Sequence, residues 1–321
     1  MWKPSEKGLV KQEGDPGAMC PLAVWIDILD ITTMEEKLIE TSLGIDLPTR
    51  AEMQEIEASS RLYRENGTVF MTATMLIKTE TGMPETTAVT FILSKERLIT
   101  LRYDEPWSIK TFAIRAPRSG CQSAEQICCA LFETTVERLA DLLEIVAHEL
   151  EQISQKVFRR KSLTDEGTDV NLQKVLFNLG RCGNLLGKVR ESLVDKQRAM
   201  TFCAQAAGDW MTADSKTRLT AAMRDATSLS DHATFTSGKV SFLLDATLGL
   251  INIEQNRIIK IFSIAAVIFL PPTLVASIYG QNYDLWPGGE WFKAYGFWFT
   301  LGLMIGTVAL TMWYFKRQRW M

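Results

Sequence analysis

The chain has 321 residues, with 35 Lys and Arg against 38 Asp and Glu, for a formal net charge of -3. That length allows about two domains, and the absence of a basic stripe outside the C-terminal apolar segments excludes a typical nucleic-acid-binding surface. We therefore expect no nucleic-acid partner. Six cysteines, none in a CxxC pair, fit a reducing compartment and are expected to be small buried apolar side chains.

The first third of the chain predicts a mixed α/β domain. Residues 1–20 are rich in Gly, Pro and charge, show no secretory signal pattern and are expected to form a flexible leader. Helical segments are expected at 34–43 and 51–60. Alternating β-branched runs between turn residues predict strands at 23–28, 68–79, 87–93 and 97–102. Residues 21–120 are therefore predicted to be a cytoplasmic α/β domain.

Beyond residue 120 the pattern becomes helical. Apolar residues recur at three- and four-residue steps within 131–158, and a second helix is predicted at 170–204. A third begins near Asp214 and meets no proline before Pro271, so it would run about 65 residues, or roughly 100 Å, to Tyr279. A helix that long needs neighbours, so residues 121–258 are expected to form a helical stalk within an oligomer.

The first of these helices carries a strongly acidic face. We expect it to be solvated, with attraction of cations toward a pore entrance as the other possibility. Its members are Glu133, Glu137, Asp141, Glu144, Glu149 and Glu151.

Two uncharged apolar runs end the chain, at 261–279 and 294–315, and each is long enough to cross a bilayer as a helix. Residues 259–321 are therefore predicted to be a transmembrane hairpin with a short external loop and a basic tail. The flanking cations predict that both termini lie in the cytoplasm. They are Arg257 and Lys260 before the first run, and Lys316, Arg317 and Arg319 after the second.

One face of the first apolar run repeats at an average step near 3.5 residues, which is typical of bundle packing. In a symmetric ring this face would line a pore with an apolar constriction that gates by dewetting; a dry packing seam is the alternative. Neither run contains Asp, Glu, Lys, Arg or His, which argues against a proton relay and favours a cation that keeps much of its water, such as Mg²⁺. The face consists of Asn256, Ile259, Phe262, Ala266, Leu270, Thr273 and Ser277.

Enzyme signatures are incomplete in this sequence. His148-Glu149 begins a zinc-protease motif, but Gln152 stands where the second histidine is required. The sequence shows neither a Gly-rich phosphate loop nor a nucleophile elbow. We therefore expect neither an enzyme nor an organic cofactor.

Four segments resemble the CorA family of magnesium transporters: 252–263, 269–277, Tyr279-Gly280 with Asn282, and 314–317. The similarity is dense from residue 239 onward and looser upstream. It implies a funnel-shaped homopentamer in the bacterial inner (plasma) membrane, with the first membrane helix lining a channel. The implied activity is uptake of Mg²⁺, with Co²⁺ or Ni²⁺ as further cargo, down the membrane potential.

The family's Gly-Met-Asn signature falls on Gly280, Gln281 and Asn282, so Gln281 departs from the pattern. The resemblance implies that the amide oxygens of Asn282 form a ring that receives the hydrated ion. The negative charges of Asp284 and Glu290 in the external loop are expected to attract cations toward it. The family's zinc-transporting branch also varies this motif. A proton-coupled Zn²⁺ transporter therefore stays open, as does a non-conducting membrane-anchored scaffold or sensor.

The same resemblance assigns Asp245 to a regulatory Mg²⁺ site between subunits. Its partner carboxylate would come from a neighbour's α/β domain, where Glu52, Glu55 and Glu57 are candidates and Glu55 is preferred. Mg²⁺ bridging the carboxylates would hold the channel closed, and loss of the ion would free like charges to repel. The expected partners are thus divalent metal ions, membrane lipid and further copies of the chain.

Overall fold

The computed structural model describes residues 1–5, 7–12, 20–55, 57–80, 84–158, 171–280 and 289–318. These residues form two compact units, Met1–Asp245 and Ala246–Met321. The first unit contains a sheet and long helices, and the second contains a helical hairpin.

The sheet of the first unit has seven strands within the described residues. They are β1 (Trp2–Ser5), β2 (Gly8–Lys11), β3 (Trp25–Leu29), β4 (Leu62–Glu65), β5 (Thr68–Ile77), β6 (Glu85–Leu93) and β7 (Leu98–Arg102). Their spatial order is β2-β1-β3-β7-β6-β5-β4. Neighbours are antiparallel except β3 and β7, which run parallel with Trp25 opposite Leu98. The strands predicted from alternation are confirmed, while β4 lies in a stretch where no strand was predicted.

Short helices precede three very long ones. The helices are α1 (Thr33–Leu43), α2 (Arg50–Met53), α3 (Ala58–Arg61), α4 (Trp107–Arg115), α5 (Ala124–Phe158), α6 (Leu172–Ala206), α7 (Ala213–Tyr279) and α8 (Gly289–Arg317). The predicted long helices are confirmed, and the segment between α5 and α6, residues 159–170, lies outside the described residues. The prediction of a single helix over 51–60 is wrong, because α2 ends at Met53 and Glu55 lies in the segment before α3.

The expectation of a flexible leader is wrong for its described residues, which form β1 and β2 at one edge of the sheet. The ring of Trp2 stacks on Trp25 with centroids 5.3 Å apart, and Leu9 is fully buried. Gly8 permits the close approach, because it has φ 151° and a Cβ there would lie 2.5 Å from the carbonyl oxygen of Ala116. Apolar burial thus outweighs the turn-prone composition of this segment.

All six cysteines are buried thiols without a disulfide, as predicted. Burial raises the pKa of Cys129 to about 12, and that of Cys182 also to about 12. These thiols therefore stay protonated at neutral pH and act as apolar core residues.

A charged cluster lies buried where α6 packs on β5. Asp195 of α6 accepts a hydrogen bond from the Arg61 guanidinium at 2.7 Å, and also one from the Thr74 hydroxyl. The ammonium of Lys196 is fully buried and donates to the carbonyl oxygen of Thr74 and the hydroxyl of Ser192, both at 2.6 Å. Desolvation lowers the pKa of Lys196 to about 7, although the neighbouring Asp195 carboxylate opposes that shift.

The acidic face of α5 is not uniformly solvated, so that expectation needs correction. Glu133 pairs with Arg218 of α7 through two hydrogen bonds, Glu149 pairs with Arg181 of α6, and Glu151 pairs with Lys239 of α7 at 2.9 Å. Three acids therefore link α5 to both neighbouring helices. Glu137, Asp141 and Glu144 are exposed as predicted.

The second unit consists of the C-terminal part of α7 and helix α8. Within the described residues, two helices are long and apolar enough to cross a membrane, namely α7 and Tyr295–Arg317 of α8, and little of either apolar stretch is buried within the chain. Pro271 and Pro272 lie inside α7, which remains helical to Tyr279. The predicted hairpin segments are thus both present as helices.

Candidate cation pathway

The predicted pore face of α7 is exposed along its whole length. Its largest apolar side chains are 61% exposed at Ile259, 71% at Phe262 and 65% at Leu270. The remaining members, Asn256, Ala266, Thr273 and Ser277, are also exposed. The chain therefore leaves this face uncovered, although a row of apolar side chains gains free energy from burial.

Helix α8 packs against a different face of α7. Ile264 and Ile268 are half-buried and Val275 is buried. At the end of the hairpin the ring of Tyr279 meets that of Phe299, with centroids 6.2 Å apart. Because the hairpin contact uses these positions, it leaves the predicted pore face available for another partner.

The exposed face changes in polarity from one end to the other. It begins with the amide of Asn256, continues through large apolar side chains and ends with the hydroxyls of Thr273 and Ser277. Thr273 donates its hydroxyl hydrogen to the carbonyl oxygen of Phe269 at 2.7 Å, which leaves the oxygen lone pairs as acceptors. A cation meeting such a face finds neutral oxygen ligands and no fixed charge.

Gly280 ends α7, and its position accounts for the residue type. Its N–H donates to the carbonyl oxygen of Ala276 at 2.7 Å. A Cβ at Gly280 would also lie 2.7 Å from that oxygen, too close for a side chain. Gln281, Asn282 and Asp284 lie outside the described residues, as does the side chain of Glu290 in the first turn of α8.

The two carboxylates assigned to regulation are both exposed on the first unit. Asp245 lies on α7, and Glu55 lies between α2 and α3 beside a cleft of about 560 Å³ that Arg61 and Asp104 also line. No group of three or more His, Cys, Asp or Glu side chains within the described part of one chain could hold a metal ion.

The carboxylate of Glu52 already caps a helix, which makes Glu52 a poorer candidate for the regulatory metal site than Glu55 or Glu57. Its carboxylate accepts hydrogen bonds from the backbone N–H and the hydroxyl of Thr49, at 2.8 and 2.9 Å, and so completes a capping box at the start of α2. These hydrogen bonds, the backbone one first, lower the pKa of Glu52. The exposed carboxylates of Glu55 and Glu57 make the better candidates for a divalent ion.

Comparison with known proteins gives the family. A family profile described as "CorA-like Mg2+ transporter protein" matches residues 23–317. The chain belongs to this family. The magnesium transport protein CorA of Pasteurella multocida strain Pm70 is 34% identical over 327 residues, covering 98% of this chain and 96% of that protein. The CorA of Escherichia coli K12 is also 34% identical, covering 93% and 92%.

A solved structure has the same fold. The CorA magnesium transporter from Methanocaldococcus jannaschii aligns over 92% of this chain and 91% of its own, with a TM-score of 0.71 at 19% identity. The family resemblance and the fold class are thereby confirmed: an α+β domain, a long stalk helix and a C-terminal helix. Members of the family are transporters or channels rather than enzymes, and this chain is a membrane protein.

Proposed function

We propose that the chain forms a homopentameric channel in the bacterial inner (plasma) membrane that admits Mg²⁺, with Co²⁺ and Ni²⁺ as further cargo. The observation that carries this proposal is the uncharged face of α7, which α8 leaves exposed. The driving force for cation entry is the membrane potential, which supplies about 4.6 kcal/mol for a divalent ion per 100 mV. Both termini lie in the cytoplasm, as the flanking cations favour.

In this proposal five copies of the exposed face surround the ion path. Asn256 forms the inner end, and rings of Ile259 and Phe262 form an apolar constriction that gates by dewetting. Ala266, Leu270, Thr273 and Ser277 continue the path outward. Support comes from the exposure of these side chains in one chain, because assembly would bury their apolar surface.

At the outer end, Gly280, Gln281 and Asn282 form the selectivity loop. The amide oxygens of Asn282 receive the ion with its water shell, which suits Mg²⁺ because this ion dehydrates reluctantly. Asp284 and Glu290 raise the local cation concentration outside. The uncharged path supports this assignment, because it offers no group that could strip the ion of its water.

At the inner end, intracellular Mg²⁺ closes the channel by binding between Asp245 of one subunit and Glu55 of the next. Support comes from the exposure of both carboxylates and from the engagement of Glu52 in its own helix cap. A divalent ion bridging two carboxylates offsets their repulsion, and its loss destabilises the closed contact.

Ion flux into liposomes tests the proposal directly. The full-length protein is reconstituted, a potassium diffusion potential is imposed, and entry of Mg²⁺, Co²⁺, Ni²⁺ and Zn²⁺ is followed with internal indicators. We expect Mg²⁺ entry that scales with the potential and is unchanged by a pH gradient. The matched control is the same liposomes without the potential.

Two other results would contradict the proposed Mg²⁺ channel and identify a different function. Zn²⁺ entry that requires a pH gradient, with little Mg²⁺ entry, would identify a proton-coupled Zn²⁺ transporter. No flux of any cation from protein that remains oligomeric would identify a scaffold or sensor.

Replacing Asp245 with Ala should weaken closure by internal Mg²⁺. The divalent ion would lose one of its carboxylate ligands, so the concentration for half-inhibition should rise about tenfold or more, which corresponds to at least about 1.4 kcal/mol. The measurement is current or flux as a function of Mg²⁺ on the cytoplasmic side.

The control for this variant is Asp225→Ala, an exposed acid on the same helix. It lies twenty residues away and hence on the opposite side of α7. Unchanged inhibition in Asp245→Ala, or an equal shift in both variants, would remove Asp245 from the regulatory site.

A further inference from the structure

The hairpin of the second unit contains an apolar cleft that the cation path does not use. Val267 of α7 and Leu310, Trp313 and Tyr314 of α8 line a space of about 560 Å³, with Gln318 at one end. This volume lies within the range of sites that hold small ligands. The cleft lies among membrane-spanning residues, so its natural occupant is apolar along most of its length.

Two cations flank the same end of this cleft, one from each helix. Lys260 precedes Val267 by seven residues and Arg317 follows Leu310 by seven, and both are exposed. Seven residues are nearly two full turns, so each cation lies on the same side of its helix as the lining residue seven positions away. Lys260 lies about 10 Å along the helix axis from Val267, whereas Arg317 lies between the lining residues Tyr314 and Gln318. Because the helices are antiparallel, both side chains come to one end of the hairpin.

Local contacts hold one of these cations in place. The guanidinium carbon of Arg317 lies 5.5 Å from the ring centroid of Trp313, within cation–π range. Trp313 also lines the cleft, so it joins the apolar space to the basic end. An aromatic ring beside a cation is typical of the membrane–water interface.

We propose that this cleft binds an anionic phospholipid. One acyl chain lies against Val267, Leu310 and Tyr314, and the phosphodiester is held between Lys260 and Arg317. Charge complementarity favours an anionic headgroup, as in other basic pockets between membrane helices. The apolar lining favours a lipid over a soluble phosphate, because the latter would leave that surface uncovered.

Native mass spectrometry of the full-length protein in detergent tests this site. Phosphatidylglycerol and phosphatidylcholine with identical acyl chains are compared by the apparent Kd of lipid retention. We expect roughly thirtyfold tighter binding of phosphatidylglycerol, because each of the two basic residues contributes about 1 kcal/mol at a membrane surface. The double variant Lys260→Gln with Arg317→Gln should reduce this preference to less than about twofold.

Lys316→Gln is the matched control, because it removes the same charge one residue from Arg317 and about 100° around the helix. It should keep the preference. Equal binding of both lipids by the unchanged protein, or a preserved preference in the double variant, would overturn the proposal. Competition by glycerol 3-phosphate as strong as that by phosphatidylglycerol would assign the site to a soluble anion instead.

A second variant tests the apolar part of the cleft. Val267→Phe fills the space and should reduce retention of phosphatidylglycerol about tenfold, whereas Ile305→Phe, at an exposed position outside the cleft, should not. If Val267→Phe dissociates the oligomer and leaves lipid retention unchanged, a second copy of the chain covers the cleft and the lipid assignment is wrong.

Discussion

Replacing Asn282 with Ala is expected to reduce Mg²⁺ uptake about a hundredfold. In the proposed function this amide is the first protein ligand that the hydrated ion meets. A hydrogen bond to a charged partner contributes about 1.5–3 kcal/mol, and the loss of about 2.7 kcal/mol corresponds to a hundredfold. The measurement is the initial rate of Mg²⁺ entry into liposomes at a fixed potential.

The matched control is Asn184→Ala, which removes an exposed amide from α6 and should leave uptake unchanged. Size-exclusion chromatography of both variants checks that the oligomer is intact. Unchanged uptake in an intact Asn282→Ala oligomer would remove this residue from the ion path, and the selectivity loop with it.

Replacing Asp195 with Ala is expected to destabilise the first unit by about 2–4 kcal/mol. The carboxylate and its partner Arg61 are only 13% and 17% exposed, and breaking such a pair leaves an uncompensated charge. Lys196 would lose the carboxylate that favours its charged form, and the Nε of Arg61 already lacks a hydrogen-bond partner in the described structure. The measurement is the midpoint of thermal unfolding of the full-length protein.

The control for this prediction is Glu85→Ala, which breaks an exposed pair with Lys78. These side chains are 53% and 56% exposed, so the expected loss is below about 1 kcal/mol. Burial works to raise the pKa of Asp195, but hydrogen bonds from Thr74 and Arg61 outweigh it and hold that pKa below its usual range. The contribution of Asp195 is therefore present at neutral pH and is lost as the pH falls through its folded pKa. Equal losses in both variants would contradict the prediction.

The long helices could be predicted because their signal is local and repeated. The third helix was expected from Asp214 to Tyr279, and α7 runs from Ala213 to Tyr279. Strands β5 and β6 were likewise visible from alternation between turn residues. The first two strands were missed because their stability comes from distant partners, such as Trp25 and Ala116, that no local window contains.

The ion pairs of α5 show a second limit of sequence patterns. Periodicity assigned Glu133 and Glu149 to a polar face, but it could not say which cations a neighbouring helix would bring to that face. Arg218 follows Glu133 by 85 residues, so only the packing of the helices joins them. The acids Glu137 and Glu144 of the same helix are exposed, as the pattern indicated.

Part of the candidate site could be predicted from the sequence, and part of it could not. Helical spacing placed the predicted pore residues on one side of α7, because one face of a helix is set by its period. All of them are exposed, but so are residues outside that face, such as Phe269 and Leu274, so the pore assignment itself stays a prediction. The engagement of Glu52 was also readable, since Thr49 three residues before a glutamate is the capping-box pattern. The roles of Asn282 and of the Asp245–Glu55 pair remain predictions, since they depend on a loop outside the described residues and on contacts between copies.

The parallel pairing of β3 with β7 has a consequence for the order in which the protein is made. Trp25 and its partner Leu98 are about seventy residues apart, so a ribosome adding about 5–20 residues per second needs roughly four to fourteen seconds to supply the second strand after the first. Until then β3 has β1 as its sheet neighbour and an open edge on its other side. Nascent chains in which β3 has left the ribosome but β7 has not should therefore be the ones that holdase chaperones capture, because an unpaired strand edge invites association.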